Sequence, residues 1–289
     1  MTMQSPYLIH GPALISFSGG RTSAYLLRNI LDAHGGQLPD DVHVVFFNTG
    51  KEREETLRFV HECGTRWDVR IRWLEFDPDE PFNTTEVGYN SASRNGEPFA
   101  KVIGWKQFLP NPVKRLCTEQ LKIKRGISFM HNLLGYGRWE NIIALRADEP
   151  RRVARQKARN EAGKERFETI MPLDEAGVAS RDVAVFWRAS DFDLGLPMTP
   201  HGTTPMGNCD LCFMKRRSTL QGIMRLDPNA ADWWIEQEVK APALGKMDKP
   251  EMALFRADRP SYAAMLKQVQ DQGDFEDDYE DDLPCECTD

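Results

Sequence analysis

Two glycines and three hydroxyl side chains stand between an apolar segment and a helical one near the beginning of the sequence. The stretch SFSGGRTS places Gly19 and Gly20 among Ser18, Thr22 and Ser23. Glycine lets the backbone turn sharply and approach an anion closely, and a helix that begins here offers N–H groups and the positive end of its dipole. The stretch therefore predicts a phosphate-binding loop, with an ordinary turn and a serine N-cap as the alternative.

The two most familiar glycine loops for phosphate do not match this stretch. Walker A requires G-x-x-x-x-G-K-[ST], and the dinucleotide fingerprint requires G-x-G-x-x-G. The segment SGGRTS contains neither pattern. A phosphate loop at this position must belong to another class.

A second group of reactive side chains is the pair Cys209 and Cys212 in NCDLC, with two residues between them. A C-x-x-C turn directs two sulfurs toward one point, which suits zinc or an iron–sulfur cluster. The chain has six cysteines. In a chain without a secretory signal, clustered cysteines favour metal binding or redox chemistry over a disulfide framework.

Composition limits the class of protein. Hydrophobic residues make up 40% of the 289 residues, which is enough for a large core, and the formal net charge is −7. No run of about 18 apolar residues is present, so no membrane span is predicted. The N-terminus lacks the basic and then apolar pattern of a secretory signal, so we expect a cytoplasmic protein.

The charge is unevenly distributed along the chain. Residues 151–166 contain seven Lys or Arg and two Glu, whereas residues 274–289 are mostly acidic. A local basic segment can contact a polyanion even in an acidic protein. Residues 151–166 are therefore the expected contact for a nucleic acid or nucleoprotein partner. The acidic tail has few apolar residues and is expected to be disordered.

Apolar segments alternate with helical ones and must position these groups. Strands are predicted at residues 13–18, 42–48, 69–76, 141–148 and 168–173, and helices at residues 22–34, 53–63, 119–134 and 180–190. Strands that alternate with helices favour a parallel α/β sheet, whose ligands bind at the carboxyl ends of the strands. The basic segment is expected to be a mobile loop or a short exposed helix.

The sequence divides into three expected regions. Residues 1–206 form the nucleotide-binding α/β domain, with an irregular insertion or lid at about 77–112. Residues 207–273 form a helical extension that carries the C-x-x-C pair, and residues 274–289 form the tail.

Five segments together resemble one known family. The stretch SGGRTS is similar to the pyrophosphatase (PP) loop of the adenine nucleotide alpha hydrolases. The segments FFNTGKEREETLRFV, CTEQLKIKRG, ALRADEPRRVAR and MGNCDLC resemble, in the same order, segments of the phosphoadenylyl-sulfate (PAPS) reductase family. Pro150 stands where that family has a serine.

The resemblance implies a five-stranded parallel sheet with flanking helices and an adenine nucleotide across the strand ends. Arg146 would meet phosphate or sulfate, since a guanidinium can donate two parallel hydrogen bonds to an oxyanion. Arg146 and Lys51 are the candidate catalytic residues. The implied nucleotide-binding residues are Ser16, Ser18, Gly19, Gly20, Arg21, Thr22, Ser23, Phe47, Asn48, Thr49, Gly50, Arg146 and Arg152.

The basic residues that follow Arg146 have two interpretations. Arg151, Arg152 and Arg155 could extend the oxyanion clamp, or they could belong to a solvated charged loop.

The resemblance also suggests ligands for a metal. In the APS-reductase branch of the family, a Cys-Cys pair and a later C-x-x-C hold a [4Fe-4S] cluster. Cys117 matches the first cysteine of that pair, and Thr118 stands at the second, so Cys117, Cys209 and Cys212 are the matched ligands. The alternatives are zinc, with a fourth ligand from His201 or the tail cysteines, and three thiols without metal.

The C-terminal tail contains a weaker match. PAPS reductases carry a catalytic cysteine in the motif E-C-G-[IL]-H, of which Glu286 and Cys287 keep two letters. The neighbouring aspartates disfavour a thiolate. Cys287 is thus a candidate nucleophile that its surroundings argue against.

Three functions follow as expectations. The first is an ATP pyrophosphatase that uses ATP with Mg²⁺ to adenylate a substrate and supports sulfur transfer, with an iron–sulfur cluster. The second is a PAPS or APS reductase that uses Cys287. The third is a non-catalytic nucleotide-binding accessory protein of a nucleic-acid-modifying or CRISPR-type system.

Overall fold

A mostly parallel six-stranded sheet forms the centre of the computed structural model, which describes residues 5–200, 202–246 and 253–272. Within these residues the strand order is β4-β3-β2-β1-β5-β6. Strand β4 pairs antiparallel with β3, and the other neighbours pair in parallel. The strands are β1 Ala13–Phe17, β2 Val42–Phe47, β3 Ile71–Phe76, β4 Thr84–Val87, β5 Trp139–Ile142 and β6 Phe167–Ile170.

Helices cover both faces of the sheet and continue beyond it. They are α1 Arg21–Ala33, α2 Glu54–Arg66, α3 Glu97–Lys106, a continuous helix α4 over residues 117–133, α5 Pro150–Ala162, α6 Pro172–Glu175, α7 Ser180–Ala189, α8 Arg217–Leu226, α9 Asp232–Lys240 and α10 Tyr262–Gln272. Helix α4 is π-helical over Cys117–Ile123 and Ser128–Leu133 and α-helical between them. No helix of the described ranges is long and apolar enough to cross a membrane.

The prediction of an α/β protein with flanking helices and C-terminal helices is confirmed, but the sheet that was expected to be parallel throughout is mixed, because β4 runs antiparallel to β3. The sheet has one strand more than expected, because β4 adds to its edge. The four residues of β4 pair with β3 through a short turn, so this pair needs no crossover helix. The basic segment forms most of α5, one of the two predicted alternatives.

The turn before β4 is held by a buried arginine. Phe82 and Asn83 have φ of +57° and +54°, a backbone region that side chains other than glycine rarely adopt. Arg125 of α4 donates to the carbonyl oxygens of both residues, at 2.8 Å for Phe82, and to the hydroxyl of Thr84. Burial lowers the pKa of Arg125 to about 10. The hydrogen bonds from this buried guanidinium thus offset the backbone strain at Phe82 and Asn83.

The core lies on both faces of the sheet, because β1 and β2 send apolar side chains to each face. Ile15 and Phe17 pack with α1, α2 and α7 on one face. Leu14, Val45 and Phe47 pack with α4 on the other face. Strands that are buried on both faces are expected to be almost continuously apolar, as β2 is.

A separate core joins the C-terminal helices to the segment at 77–112. Phe99 and Val102 of α3 pack in one cluster with Leu121 of α4 and with Trp234 and Tyr262. The segment that was expected to be an irregular insertion or lid therefore contains a helix that anchors the C-terminal region. Its sequence signal is short, since only Phe99, Val102 and Ile103 show the helical spacing.

Candidate functional site

The glycine loop lies between the carboxyl end of β1 and the first turn of α1. Gly19 has φ of +76°, and Gly20 is the N-cap residue of α1, without a side-chain hydrogen bond to the helix. The hydroxyl of Ser18 donates to that of Ser23 at 3.0 Å, and Ser23 donates to the carbonyl oxygen of Gly20 at 2.9 Å. The N-cap of α1 is therefore Gly20 and not a serine.

The two glycines differ in what surrounds them. A Cβ at Gly19 would lie 2.7 Å from a methyl carbon of Thr56 and 3.0 Å from one of Val60, so the protein itself fills this side. A Cβ at Gly20 would meet only the hydroxyl oxygen of Ser18, at 3.6 Å. Gly20 thus leaves open space beside the start of a helix, the geometry that an approaching anion needs.

Arg21 supports the loop from behind. Its guanidinium donates to both carboxylate oxygens of Asp193, at 2.7 and 2.5 Å, and to the carbonyl oxygen of Leu196 at 2.6 Å. Burial would raise the pKa of Asp193, but the hydrogen bonds and charge of Arg21 outweigh it and lower that pKa. These bonds use Nε and Nη2 of Arg21, whereas Nη1 is buried without a hydrogen-bond partner among the described residues.

Arg146 reaches the same loop from beyond the end of β5. It donates to the Thr22 hydroxyl at 3.3 Å and to Asp148 at 2.8 Å. It also lies 3.5 Å from Glu149, whose other oxygen accepts from Arg152 at 2.5 Å. The structure therefore brings Arg146 to the glycine loop and sets the buried Arg152 behind Glu149.

The residues after β2 form a second loop that is held by buried hydrogen bonds. The amide nitrogen of Asn48 donates to Glu75 at 2.6 Å and to the carbonyl oxygen of Ser93 at 2.9 Å. Its amide oxygen accepts from the N–H of Gly50 at 3.1 Å. Asn48 and Thr49 are buried, so their side chains shape the loop from inside.

Thr49 connects this loop to a buried carboxylate and to a thiol. Its N–H and its hydroxyl each donate to Glu52 at 2.9 Å, and its hydroxyl oxygen lies 3.4 Å from the sulfur of Cys209. Burial raises the pKa of Glu52, against the opposing charge of Lys122 and the bonds from Thr49.

The C-x-x-C turn is attached to the same loop by its aspartate. Asp210 pairs with Lys51 at 2.8 Å, and its N–H donates to the Lys51 carbonyl oxygen at 2.8 Å. The indole N–H of Trp234 donates to Asp210 at 2.8 Å. Lys51, a predicted catalytic residue, is buried in this ion pair.

The three predicted metal ligands lie in one apolar cluster. Cys117, Cys209 and Cys212 are buried and reduced. Within the described residues, no group of three Cys, His, Asp or Glu side chains is arranged around one point as metal ligands. His201 and Cys287 lie outside the described residues. Metal binding by the cysteines stays a prediction.

A cleft opens between the sheet and α4, next to the glycine loop, and the centre of a water molecule can reach about 40 Å³ of it. Most of its wall is apolar, and its polar side chains are Ser16, Ser18, Lys122 and Asn141. The residues that line the cleft are Leu14, Ser16, Phe17, Ser18, Phe47, Lys122, Ile123, Gly126, Ile127, Trp139, Asn141 and Phe167.

Sequence reasoning identified part of the sheet wall of this cleft and missed the part from β5 and the wall formed by α4. Ser16, Ser18 and Phe47 were predicted to bind the nucleotide, and they line the cleft. Trp139 and Asn141 were missed, although their alternation along β5 is the signal that both face one side of the sheet. The residues contributed by α4 carry no comparable signal, because π-turns change the spacing of a helix.

Fold and site together define an α/β protein with a glycine loop at the carboxyl end of β1 and an apolar cleft beside it. No protein-family model matches the chain. The chain is similar to an uncharacterized nin region protein, ORF290, of Escherichia phage lambda, with 30% identity over 211 residues. The match covers 70% of this chain and spans 66% of the phage protein, just under two thirds.

Proposed function

We propose that this protein is an ATP pyrophosphatase of the PAPS-reductase type, which adenylates a substrate and supports sulfur transfer. The observation that carries the proposal is the continuity of the glycine loop with the cleft, since Ser18 belongs to both. A nucleotide has the matching layout, with a flat apolar base at one end and phosphates at the other. The base would occupy the cleft, and the phosphates would lie against residues 18–23.

The residues around the loop suit the charge of a triphosphate. Backbone N–H groups beside Gly20 and the guanidinium of Arg146 would bind phosphate oxygens. Mg²⁺ prefers hard oxygen ligands, and the hydroxyls of Ser18 and Thr22 and the carboxylate of Asp148 offer them close by. Magnesium bound with ATP would reduce the negative charge of the phosphates and make pyrophosphate a better leaving group.

The reaction is a displacement at the α-phosphorus. A substrate oxygen attacks that atom, the bond to the bridging oxygen of the pyrophosphate breaks, and the pyrophosphate leaves with the electron pair. Donors that meet the growing negative charge in the transition state lower the barrier. Arg146 suits this role because it already reaches the loop through Thr22.

Sulfur transfer is the part of the proposal that rests on the C-x-x-C turn. The turn is fixed to the loop after β2 by the pair of Lys51 and Asp210, so its thiols belong to the same end of the sheet as the nucleotide. Iron, sulfide and zinc content of anaerobically purified protein is the direct test of a cluster. Cys117→Ala, Cys209→Ala and Cys212→Ala are the informative variants, and Cys63→Ala is the control because Cys63 lies in the core of α2.

A second candidate is a nucleotide-binding accessory protein with a nucleic acid partner. The exposed face of α5 carries Arg151, Arg155 and Arg159 at a spacing of four residues, which places them in one row. Helix α5 begins directly after Asp148 and Glu149, so this row starts beside the glycine loop. A phosphate backbone along α5 would explain the row in either candidate function.

Isothermal titration calorimetry with ATP and with PAPS tests the nucleotide site and separates ATP pyrophosphatase from reductase. We expect tighter binding of ATP, together with release of pyrophosphate in the presence of Mg²⁺. Gly20→Val should weaken ATP binding at least tenfold, because each lost hydrogen bond to a charged phosphate is worth about 1.5–3 kcal/mol. Gly88→Val is a matched control, since a Cβ at Gly88 would meet nothing within 4 Å and Gly88 follows β4, an edge strand that β2 and β3 separate from β1.

Three outcomes would count against the proposal. Wild-type affinity in Gly20→Val would reject the glycine loop as the phosphate site. Tight binding of PAPS with release of sulfite would favour the reductase with Cys287. ATP binding without pyrophosphate release, in the presence of an oligonucleotide as well, would favour the accessory protein.

A further inference from the structure

The wall of the cleft formed by the sheet contains two neighbouring polar side chains in an apolar surface. Ser16 lies on β1 and Asn141 on the adjacent β5, and both line the cleft. They are flanked by Leu14 and Trp139, the residues two positions earlier on the same strands. A polar group in an apolar wall has large consequences for binding, because a ligand that leaves it without a partner loses the hydrogen bond and bears the desolvation cost.

Ser16 fixes the orientation of the Asn141 amide. The serine hydroxyl donates to Asn141 Oδ1 at 3.2 Å. Oδ1 therefore faces β1 and keeps one lone pair for a ligand. Among the described residues, nothing accepts a hydrogen bond from Asn141 Nδ2. The cleft thus presents one acceptor and one donor side by side on a side chain that is held in place.

The position along the strand fits the base end of a nucleotide. Ser16 of β1 and Ser18, which follows the strand, both line the cleft, and two residues of extended chain span about 6.6 Å at roughly 3.3 Å each. A ribose spans a comparable distance between base and phosphate. With phosphates at Ser18, the edge of the base comes to Ser16 and Asn141, and its faces meet Phe47 and Trp139.

An acceptor beside a donor distinguishes adenine from guanine. Adenine presents the N6 amino group as donor next to a ring nitrogen as acceptor, and an asparagine side chain pairs with both. Guanine presents O6 and N7 at the same edge, which are both acceptors. Asn141 Oδ1 would then face O6 without a hydrogen between them, and its orientation is held by Ser16.

We propose that Asn141, oriented by Ser16, reads the base of the bound nucleotide and selects adenine over guanine. This inference rests on the proposed function, because it requires a nucleotide in the cleft. It adds a specificity-determining residue on β5 that the glycine loop alone does not supply. Lys122 is charged and also lines the cleft, but it comes from α4 on the opposite wall.

The test is a titration of ATP, GTP and ITP against three proteins. Wild type should bind ATP at least tenfold more tightly than GTP or ITP, as a two-bond contact to one base allows. Asn141→Ala should lose about tenfold in ATP affinity and little in GTP affinity. The ratio of ATP affinity to GTP affinity should therefore approach one. Asn141→Asp should weaken ATP binding while keeping ATP ahead of GTP, because the carboxylate still accepts from the adenine N6 amino group but meets only acceptors on guanine.

Two controls keep the result interpretable. Asn132→Ala removes an asparagine that is exposed on α4 and should leave all affinities unchanged. Ser16→Ala leaves Asn141 intact but frees its amide to rotate. The ratio of ATP affinity to GTP affinity should therefore lie between those of wild type and Asn141→Ala. If Asn141→Ala does not fold, Ser16→Ala and the wild-type panel still decide the question.

The two possible failures are distinguishable. Equal affinity of wild type for ATP, GTP and ITP, or an unchanged ratio in Asn141→Ala, would overturn the role of Asn141 and leave nucleotide binding in place. Absence of binding for all three triphosphates would overturn the proposed function itself.

Discussion

The glycine loop and the C-x-x-C turn are both short polar turns at the carboxyl side of the sheet, yet they are built in opposite ways. At the glycine loop, a Cβ on Gly20 would meet a single atom, and the helix that follows has no side-chain cap. In the C-x-x-C turn, Asp210 is surrounded by Lys51, Lys215 and Trp234, which bond to its side chain or backbone. An open turn suits a ligand that comes and goes, whereas a filled turn suits a fixed support.

The comparison predicts its largest effect at the filled turn. Asp210→Ala leaves the ammonium group of Lys51 and the indole N–H of Trp234 buried without their partner. Removing one member of a buried ion pair costs about 3–5 kcal/mol of the free energy of unfolding, which urea denaturation measures. Lys240→Ala breaks an exposed pair with Glu236 on α9 and should cost less than about 0.5 kcal/mol. If the two variants lost the same free energy of unfolding, the buried contacts of Asp210 would not make the C-x-x-C turn a fixed support.

The next effect separates the two glycines. Gly19→Ala combines a positive φ with a contact of 2.7 Å to Thr56. The backbone conformation costs roughly 1–2 kcal/mol and the overpacking about 1–3 kcal/mol. Gly20→Ala should cost less than about 1 kcal/mol, the usual penalty for alanine at an N-cap. Thermal denaturation of the two variants in parallel would show whether the open side of the loop begins at Gly20.

A smaller effect concerns the carboxylate between the two turns. Because burial raises the pKa of Glu52, its stabilising contribution is present below its ordinary pKa of 4.5 and is lost as the pH rises through the pKa of the folded state. Glu52→Gln cannot ionise, so its stability relative to wild type should improve as the pH rises from 4.5 through the pKa of the folded state, by about 1.4 kcal/mol for each unit by which the pKa is raised. A stability difference that does not change with pH would mean that Glu52 is ionised in the folded protein.

The smallest effect is expected outside both turns. Residues 273–289 lie beyond the described part of the chain and carry the Cys287 candidate. We expect truncation after Gly273 to leave the melting temperature and ATP affinity unchanged, because an acidic, apolar-poor segment contributes little to a core. Loss of a PAPS-dependent sulfite release on truncation would instead make Cys287 the nucleophile.

Local patterns predicted the parts of the fold that repeat a regular signal. The apolar run VHVVFF predicts a buried strand, and the glycine stretch after β1 predicts a turn, each from a few consecutive residues. Strand β4 and helix α3 were missed because TTEV is too short for a clear alternation and Pro98 and Gly104 interrupt the helical pattern. Boundaries also moved: the strand expected at 141–148 is β5 at Trp139–Ile142, which leaves Arg146 free of the sheet and able to reach Thr22.

Only part of the candidate site could be predicted from the sequence, because the rest is assembled by contacts between distant segments. Ser16 and Ser18 come from a segment whose local pattern of glycines and hydroxyls predicts a phosphate-binding loop. Asn141 becomes part of the site only when β5 pairs with β1, 125 residues away from Ser16. In the same way, the ion pair of Lys51 and Asp210 depends on a tertiary contact that neither local segment specifies.

Helix α4 connects the cleft to β4, the edge strand of the sheet that lies far from the glycine loop. One face of the helix lines the cleft with Ile123 and Gly126, and the opposite side holds the turn before β4 through Arg125. A nucleotide that fixes this helix would also fix the strained backbone at Phe82 and Asn83. Amide hydrogen exchange in β4 should then slow when the cleft is filled, although β4 lies three strands away from β1.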